Sequence, residues 1–302
     1  MPRRIAAAPP VLVHRSGAPR PIDNRLSLDV RQTQYRLMLR PEILEYYRRG
    51  GERQRLAAGK GRLEYLRTWD VLARALPGAP AAVLDVGGAT GVYAGPLAAA
   101  GYRVHVVDPV AEHVAEAAAW PGVSAVRADA RALPAADGRF DAVLLLGPLY
   151  HLLRRADRVA TWREAARVLR PGGVVVGATI SRFASLFDGF VKDYFSDAWF
   201  RPLVEGALAD GAHRNAEAGR GWFTTAYFHH PEEIAGEVRE AGLAVRRRVA
   251  VEGPMWMSGS RLDEILARPD LTDLLLDMMR RIEDEPSLLG ASSHILTVAC
   301  RT

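Results

Sequence analysis

Residues 83–91 read VLDVGGATG, Val83-Leu84-Asp85-Val86-Gly87-Gly88-Ala89-Thr90-Gly91. A short apolar run carrying one acid gives way to a loop of small residues. That is the pattern of a strand ending in a close-backbone turn of the kind that holds a nucleotide. The dinucleotide fingerprint requires glycine at the first, third and sixth positions. Counted from Gly87, the third and sixth are Ala89 and Val92; counted from Gly88, they are Thr90 and Tyr93. Both registers fail, and no Gly-Lys-Ser/Thr phosphate loop follows. The loop alone leaves its ligand open, so the flanking sequence has to decide.

From residue 81 the chain alternates between strand and helix patterns. Apolar runs at 81–86, 103–107, 124–127, 140–146 and 173–180 read as strands, separated by helices over 92–100, 111–119 and 157–170. Asp157 is placed to cap the last of these, and Pro171-Gly172-Gly173 to stop it. Such alternation predicts a doubly wound α/β fold, with ligands bound at the carboxyl ends of the strands. Upstream, helices are expected near 29–49 and 61–76, the first broken by Gly50-Gly51. Downstream, strands near 243–251 and 294–300 flank a helical insertion over about 261–285. Residues 181–230 hold 11 of the 23 aromatics, and Phe183, Phe187, Phe190 and Tyr194 are spaced as one helix face.

The positions beside the strands then become informative. The second strand ends at Asp108, where a carboxylate can accept from a ribose diol, and the third ends in RADARALP with Asp129 at its tip. The fourth is FDAVLLLGPLYHL, and ARVLRPGG announces the fifth. In this order and spacing, over residues 81–180, the chain resembles the class I S-adenosylmethionine-dependent methyltransferases. GPLYHL, YFHHPEE and SSH look like a bacterial small-molecule group within that family. Ala89 departs from the family's middle glycine. The resemblance implies a seven-stranded, mostly parallel, Rossmann-like sheet with S-adenosylmethionine as cofactor. It implies that Asp85 orients the loop and that Gly87, Gly88, Ala89 and Gly91 line the cofactor. Asp108 with Pro109 would hold the ribose, Asp129 with the Ala130 backbone the adenine, and Gly147 would face the methionine end. Composition and the element pattern divide the chain into a flexible basic tail (1–28) and one domain, on this resemblance a methyltransferase domain (29–302). Within the domain lie N-terminal helices (29–78), a cofactor core (79–180), an aromatic lid insertion (181–230) and final strands with a helical insertion (231–302).

Composition bounds the partners. The net charge is +5, but residues 1–60 carry 13 Lys and Arg against 5 Asp and Glu. A basic arm can serve nucleic acid. No aromatic-basic RNA module accompanies it, and Gly147-Pro148-Leu149-Tyr150 is not the tetrapeptide of exocyclic base methylation, so nucleic acid is not expected. Only Lys60 and Lys192 among the 40 basic residues are lysines, a bias that suggests a GC-rich bacterial source. The single cysteine, Cys300, allows no intrachain disulfide and fits a reducing cytoplasm. No apolar run approaches the ~20 residues of a membrane span. Nothing in the sequence bears on oligomeric state.

Methyl transfer needs alignment, exclusion of water and, for an acceptor with an acidic proton, a base. His14 lies in the tail, His105 inside a strand, His113 on a helix and His213 in a polar loop. The candidates are His151, His229 and His294, and the family's antiparallel last strand puts His294 and Glu252 at the active edge. His229, His230 and Glu233 lack the spacing of a metal site, so no metal is expected. Tyr150, Tyr194, Trp199, Trp222, Phe223, Tyr227 and Phe228 are the candidate contacts to an apolar or aromatic small molecule. The reading is a methyltransferase of a small organic acceptor in specialised metabolism, with O- or N-methylation ahead of C-methylation. The alternatives are an RNA or protein methyltransferase that uses the basic arm, or a cofactor-binding regulator without transfer activity.

Overall fold

The computed structural model describes residues 40–48, 55–216 and 220–302. The basic tail, His14, most of the helix expected over 29–49 and its glycine break lie outside the described residues. Two helices precede the sheet, α1 (Pro41–Arg48) and α2 (Gly59–Ala75). The alternating core follows as β1 (Ala82–Val86), α3 (Ala94–Ala99), β2 (Arg103–Asp108), α4 (Ala111–Ala118), β3 (Val123–Arg127), β4 (Phe140–Leu145), α5 (Arg155–Val168) and β5 (Leu169–Ser181). The aromatic segment forms α6 (Ala184–Val191), α7 (Phe200–Asp210), β6 (Ala212–His213) and β7 (Ala226–His229). The chain closes with α8 (Pro231–Glu240), β8 (Leu243–Ala250), α9 (Ser260–Leu266), α10 (Pro269–Ile282), α11 (Pro286–Leu289) and β9 (His294–Arg301).

Strands β3, β2, β1, β4 and β5 pair in parallel, and β9 and then β8 continue the sheet antiparallel. These are the seven strands expected, in a Rossmann-like methyltransferase sheet. The sheet nevertheless has nine strands. β5 is 13 residues long, and β4 ends opposite Gly177. The open edge at Ile180 and Ser181 is taken by β7, with β6 antiparallel beyond it. The aromatic insertion is thereby tied into the sheet.

Every residue of β1 is buried, as a strand covered on both faces must be. Leu84 and Val86 pack toward Trp162 of α5 and Ile234 and Val238 of α8. Val83 packs toward Leu72 of α2, Leu97 of α3 and Ala117 of α4. Trp162 fits because position 177 is glycine: a Cβ there would lie 2.2 Å from the indole. Long-range ion pairs fasten α2 to the last third of the chain. Arg67 donates to Glu283 at 2.5 Å with both side chains fully buried, and Arg74 and Arg247 also reach Glu283. No helix among the described residues is long and apolar enough to cross a membrane.

Two local expectations are corrected. Asp157 does not cap α5: Arg154 holds the cap position without a side-chain bond, and Asp157 sits in the first turn paired with Arg131. Nor do the four aromatics from 183 to 194 share one helix face. α6 stops at Val191, and Asp193 takes a left-handed backbone (φ 56°) that turns Tyr194 away. Phe190 is left 74% exposed.

Candidate functional site

At the carboxyl ends of β1, β2 and β4 lies a cavity of about 130 Å³. Asp85, Gly87, Gly88, Ala89, Asp108, Pro109, Asp129, Ala130, Gly147, Tyr150 and His151 all line it. The loop after β1 needs small residues for a geometric reason. Gly87 has φ +69°, and a Cβ there would sit 3.0 Å from Pro148 Cδ; one on Gly147 would sit 3.0 Å from the Gly87 carbonyl. Ala89, where the family prefers glycine, has φ 46°. A left-handed alanine costs roughly 1–2 kcal/mol, and its N–H is held by Asp108 Oδ2 at 3.0 Å. Gly91 does not line the cavity: it makes room for Trp120, whose Cδ1 would lie 2.9 Å from a Cβ.

The three aspartates have different surroundings. Asp108 Oδ1 accepts from the Val110 N–H at 2.9 Å and faces His113 Nδ1 at 3.2 Å, so the carboxylate braces its own loop. Burial lowers the His113 pKa, but the adjoining Asp108 outweighs it, and the net shift is upward. Asp129 is clamped by the Arg131 side chain and backbone N–H. Asp85 is 1% exposed, and neither carboxylate oxygen has a hydrogen-bond partner among the described residues. Burial, with the Asp108 charge adding to it, pushes the Asp85 carboxyl up to about 7. A buried carboxylate without donors is costly unless a ligand supplies them.

A second chamber, about 160 Å³, adjoins this cavity, and Tyr47 and Tyr150 line both. Its walls include Tyr194, Trp222, Phe223 and Phe228. Phe223 stacks on His151 at 6.0 Å, and Phe228 stacks on His213 at 5.0 Å. His151 Nε2 lies 2.7 Å from the Tyr47 hydroxyl. Burial takes the His151 pKa down to about 4, with the Thr225 backbone offsetting part of the fall. The ring is therefore neutral and can accept the Tyr47 proton.

His294, which also lines the chamber, has the opposite balance. Its Nδ1 is 2.6 Å from Glu252 Oε1 and 3.7 Å from Glu64 Oε2. Burial lowers its pKa, but the two glutamates outweigh that and raise it above the ordinary value. Burial also disfavours the Glu64 anion, yet His294 and Arg55 bring its pKa well below the usual carboxylate range. Glu64, Glu252 and His294 offer ligand atoms within 4.8 Å of one another, close enough for a metal ion. Their bonds are already committed, however. Arg55 takes both Glu64 oxygens, and Ser292 and the His294 N–H take Glu252 Oε2. The three groups form an ion-paired, hydrogen-bonded cluster.

Three expected residues lie elsewhere. His229 is fully buried behind the sheet, its Nε2 3.4 Å from Glu237, because the strand alternation of β7 turns it away from Phe228. Tyr227 is sandwiched by Arg158, 3.6 Å from the ring centroid, and bonds Glu233. Trp199 is 64% exposed. His230 and Glu233 form a capping box on α8 and do not converge with His229 on a metal position. Conversely, Tyr46, Tyr47, Arg55, Lys60, Glu64 and His213 bound or adjoin the chamber without having been site candidates. Tyr46 and Tyr47 on α1, Lys60 and Glu64 on α2, and Arg55 between the two helices reach the sheet in a way no local motif encodes. His213 is 1% exposed, not in a polar loop, because β6 folds it onto Phe228.

Comparison with known proteins settles the family. Residues 83–173 match the family model described as a methyltransferase domain. A demethylmenaquinone methyltransferase of Mycolicibacterium vanbaalenii is 34% identical over 164 residues, which are 53% of this chain and 67% of that one. The chain belongs to the S-adenosylmethionine-dependent methyltransferases. A ubiquinone biosynthesis O-methyltransferase of a Methylobacterium strain is 31% identical over 168 residues, 54% of this chain. The match spans only 59% of that relative's length. A methyltransferase structure from Mesorhizobium loti superposes with a TM-score of 0.53 at 19% identity, covering 79% of this chain and 100% of the other, and so shares the fold.

The family's cofactor fits the first cavity. The buried, donorless Asp85 carboxylate suits the ammonium of its methionine part. Gly87 and Gly147 line the cavity and let the loops after β1 and β4 pack against each other without a Cβ between them, and Asp108 and Asp129 stand at the ends of β2 and β3.

Proposed function

We propose that this chain transfers the methyl group of S-adenosylmethionine to a hydroxyl oxygen of a small aromatic acceptor. One observation carries the reading. An aromatic-walled chamber meets the cofactor cavity at Tyr47 and Tyr150, with a glutamate-supported histidine on its wall. The Methylobacterium relative, an O-methyltransferase of ubiquinone biosynthesis, agrees with an oxygen acceptor on an aromatic or quinonoid ring.

Bound S-adenosylmethionine supplies a methyl carbon made electrophilic by its sulfonium. Asp85, Gly87, Gly147, Asp108 and Asp129 hold the cofactor. Phe223, Trp222 and Tyr194, all from the 181–230 segment, orient the acceptor and exclude water. His294 takes the acceptor's hydroxyl proton, and Glu252 fixes the ring through Nδ1 and steadies the imidazolium that forms. His151 stays neutral and positions Tyr47 at the junction of the two spaces.

The test is transfer from methyl-labelled cofactor to a panel of phenols and hydroxyquinones. The expected outcome is O-methyl product and S-adenosylhomocysteine in equal amounts. Tight cofactor binding without turnover on any member would instead mark a cofactor-binding protein without transfer activity.

A further inference from the structure

The chain has 40 lysines and arginines, and only Lys60 and Lys192 are lysines. They stand on different elements, Lys60 in the first turn of α2 and Lys192 directly after α6. Both nevertheless line the aromatic chamber and meet one carboxylate. Lys60 Nζ is 2.7 Å from Asp188 Oδ2, and Lys192 Nζ is 3.3 Å from Asp188 Oδ1. Elsewhere the chain builds its ion pairs with arginine, bidentate between Arg55 and Glu64 and between Arg131 and Asp129. Guanidinium is a planar fork that a single carboxylate can fill; ammonium is a compact charge with three donors. An aspartate shared between two ammonium groups leaves these three groups with one net positive charge and several N–H donors on this wall of the chamber.

The surroundings point the same way. Ser185, one turn before Asp188 on α6, is 6% exposed, and its hydroxyl has no hydrogen-bond partner among the described residues. Lys60 lies 4.8 Å over the Trp256 ring and Lys192 5.5 Å over the Tyr194 ring, so both charges are framed by aromatic faces. Burial lowers the Lys60 pKa against the pull of Asp188, a cost that an anionic ligand would relieve. A purely structural staple between α2 and α6 would need one cation, not two.

We propose that the acceptor is an aromatic acid whose carboxylate is bound by Lys60 and Lys192, with Asp188 holding the two ammonium groups in place. The inference rests on the methyltransferase reading above and names the substrate class of the same chamber. A monoanion matches the single net charge. The carboxylate then lies at the α2–α6 end, and the reacting hydroxyl at the end bounded by Tyr150 and His294.

Matched phenolic acids and their primary amides, 4-hydroxybenzoate with 4-hydroxybenzamide and the corresponding hydroxycinnamates, serve as probes in the labelled-methyl assay. The wild-type protein should prefer acids by on the order of 10–100-fold in kcat/KM, the worth of a charge-assisted hydrogen bond. The acid-to-amide ratio should fall toward one in Lys60→Met and Lys192→Met, and Lys192→Arg should recover part of it. Lys192 is the more exposed of the pair, so its variant carries the test if Lys60→Met does not fold. Equal rates for acids and amides in the wild type, or a preference that survives both substitutions, overturns the proposal while leaving methyl transfer standing. Failure of every acid, amide and neutral phenol, with the cofactor still bound, overturns the reading of function and this inference with it.

Discussion

At the ends of β2 and β3, each carboxylate lining the cofactor cavity is held in part from within its own loop. Asp108 is braced by Val110 two residues on, and Asp129 by Arg131 at the same interval. Around the acceptor chamber the partners are far apart. Lys60 reaches Asp188 across 128 positions and His294 reaches Glu252 across 42. The first region is assembled by strand ends that each carry their own loop. The second exists only when α2, the aromatic insertion and β9 have come together. Two kinds of construction imply two kinds of sensitivity, and substitutions can separate them.

The largest effect is expected at the long-range cluster. If His294 is the proton acceptor, His294→Ala should lower kcat on the order of 10³-fold, with cofactor affinity little changed. The working form is the neutral ring, and its pKa is raised by Glu252 and Glu64. Activity should therefore be lost as pH falls through a pKa raised above the ordinary histidine value. In Glu252→Gln that limb should move to lower pH, because one of the two anions favouring the imidazolium is gone. A pH–rate profile with the same limb in both proteins would remove His294 from the mechanism. His151, already neutral down to about 4, should leave no limb in that range.

The cofactor half should respond in binding. Asp85 titrates near 7, so S-adenosylmethionine affinity should improve as pH rises through that value and the carboxylate ionises. Asp85→Asn should weaken binding by on the order of 10–100-fold, about 1.5–3 kcal/mol for a charged hydrogen bond, and should flatten the pH dependence. It should not lower the melting temperature of the cofactor-free protein, since the buried carboxylate it removes has no donor among the described residues. Calorimetric titration at several pH values reads both. An unchanged pH slope in the variant would mean that Asp85 does not face the ammonium.

The same contrast explains what was legible in the sequence. VLDVGGATG, Asp108, Asp129 and LRPGG sit at strand ends, where register and turn chemistry are local, so their order was enough to place the family's fold and cofactor. The ninefold sheet was not legible, because β7 depends on the overhang of β5 past β4, a property of two strands at once. Nor was the chamber wall. The periodicity from Phe183 to Tyr194 predicted a continuous helix that Asp193 breaks. Tyr46, Tyr47 and Glu64 carried no motif. The two lysines were visible as a composition bias, but only the fold shows that they share one aspartate. Glu252 and His294 could be put at one edge only through the family's antiparallel last strand; their 2.6 Å contact and the raised pKa of His294 could not be read in advance.

Within the acceptor half itself, two tryptophans give the smallest effect and the narrowest test. Trp199 and Trp222 belong to the same aromatic insertion, and composition treats them alike. Trp222 is 7% exposed, packs against Phe200 at 5.0 Å and lines the chamber; Trp199 lies on the surface under Arg220. Trp222→Ala removes a wall, so KM for an aromatic acceptor should rise about 10-fold, roughly 1.4 kcal/mol, while the Kd for S-adenosylhomocysteine holds. Trp199→Ala should change both by no more than about 0.5 kcal/mol, as surface substitutions do. Tyr227→Phe should behave like Trp199→Ala on KM, because its ring is enclosed by Arg158 and Arg182 and not by the chamber. If Trp199 or Tyr227 matched Trp222 in KM, the acceptor would lie on the outer face of the insertion. The chamber would then be a packing defect of the subcore, and the division between the two halves would have to be drawn at α6 and not at β5.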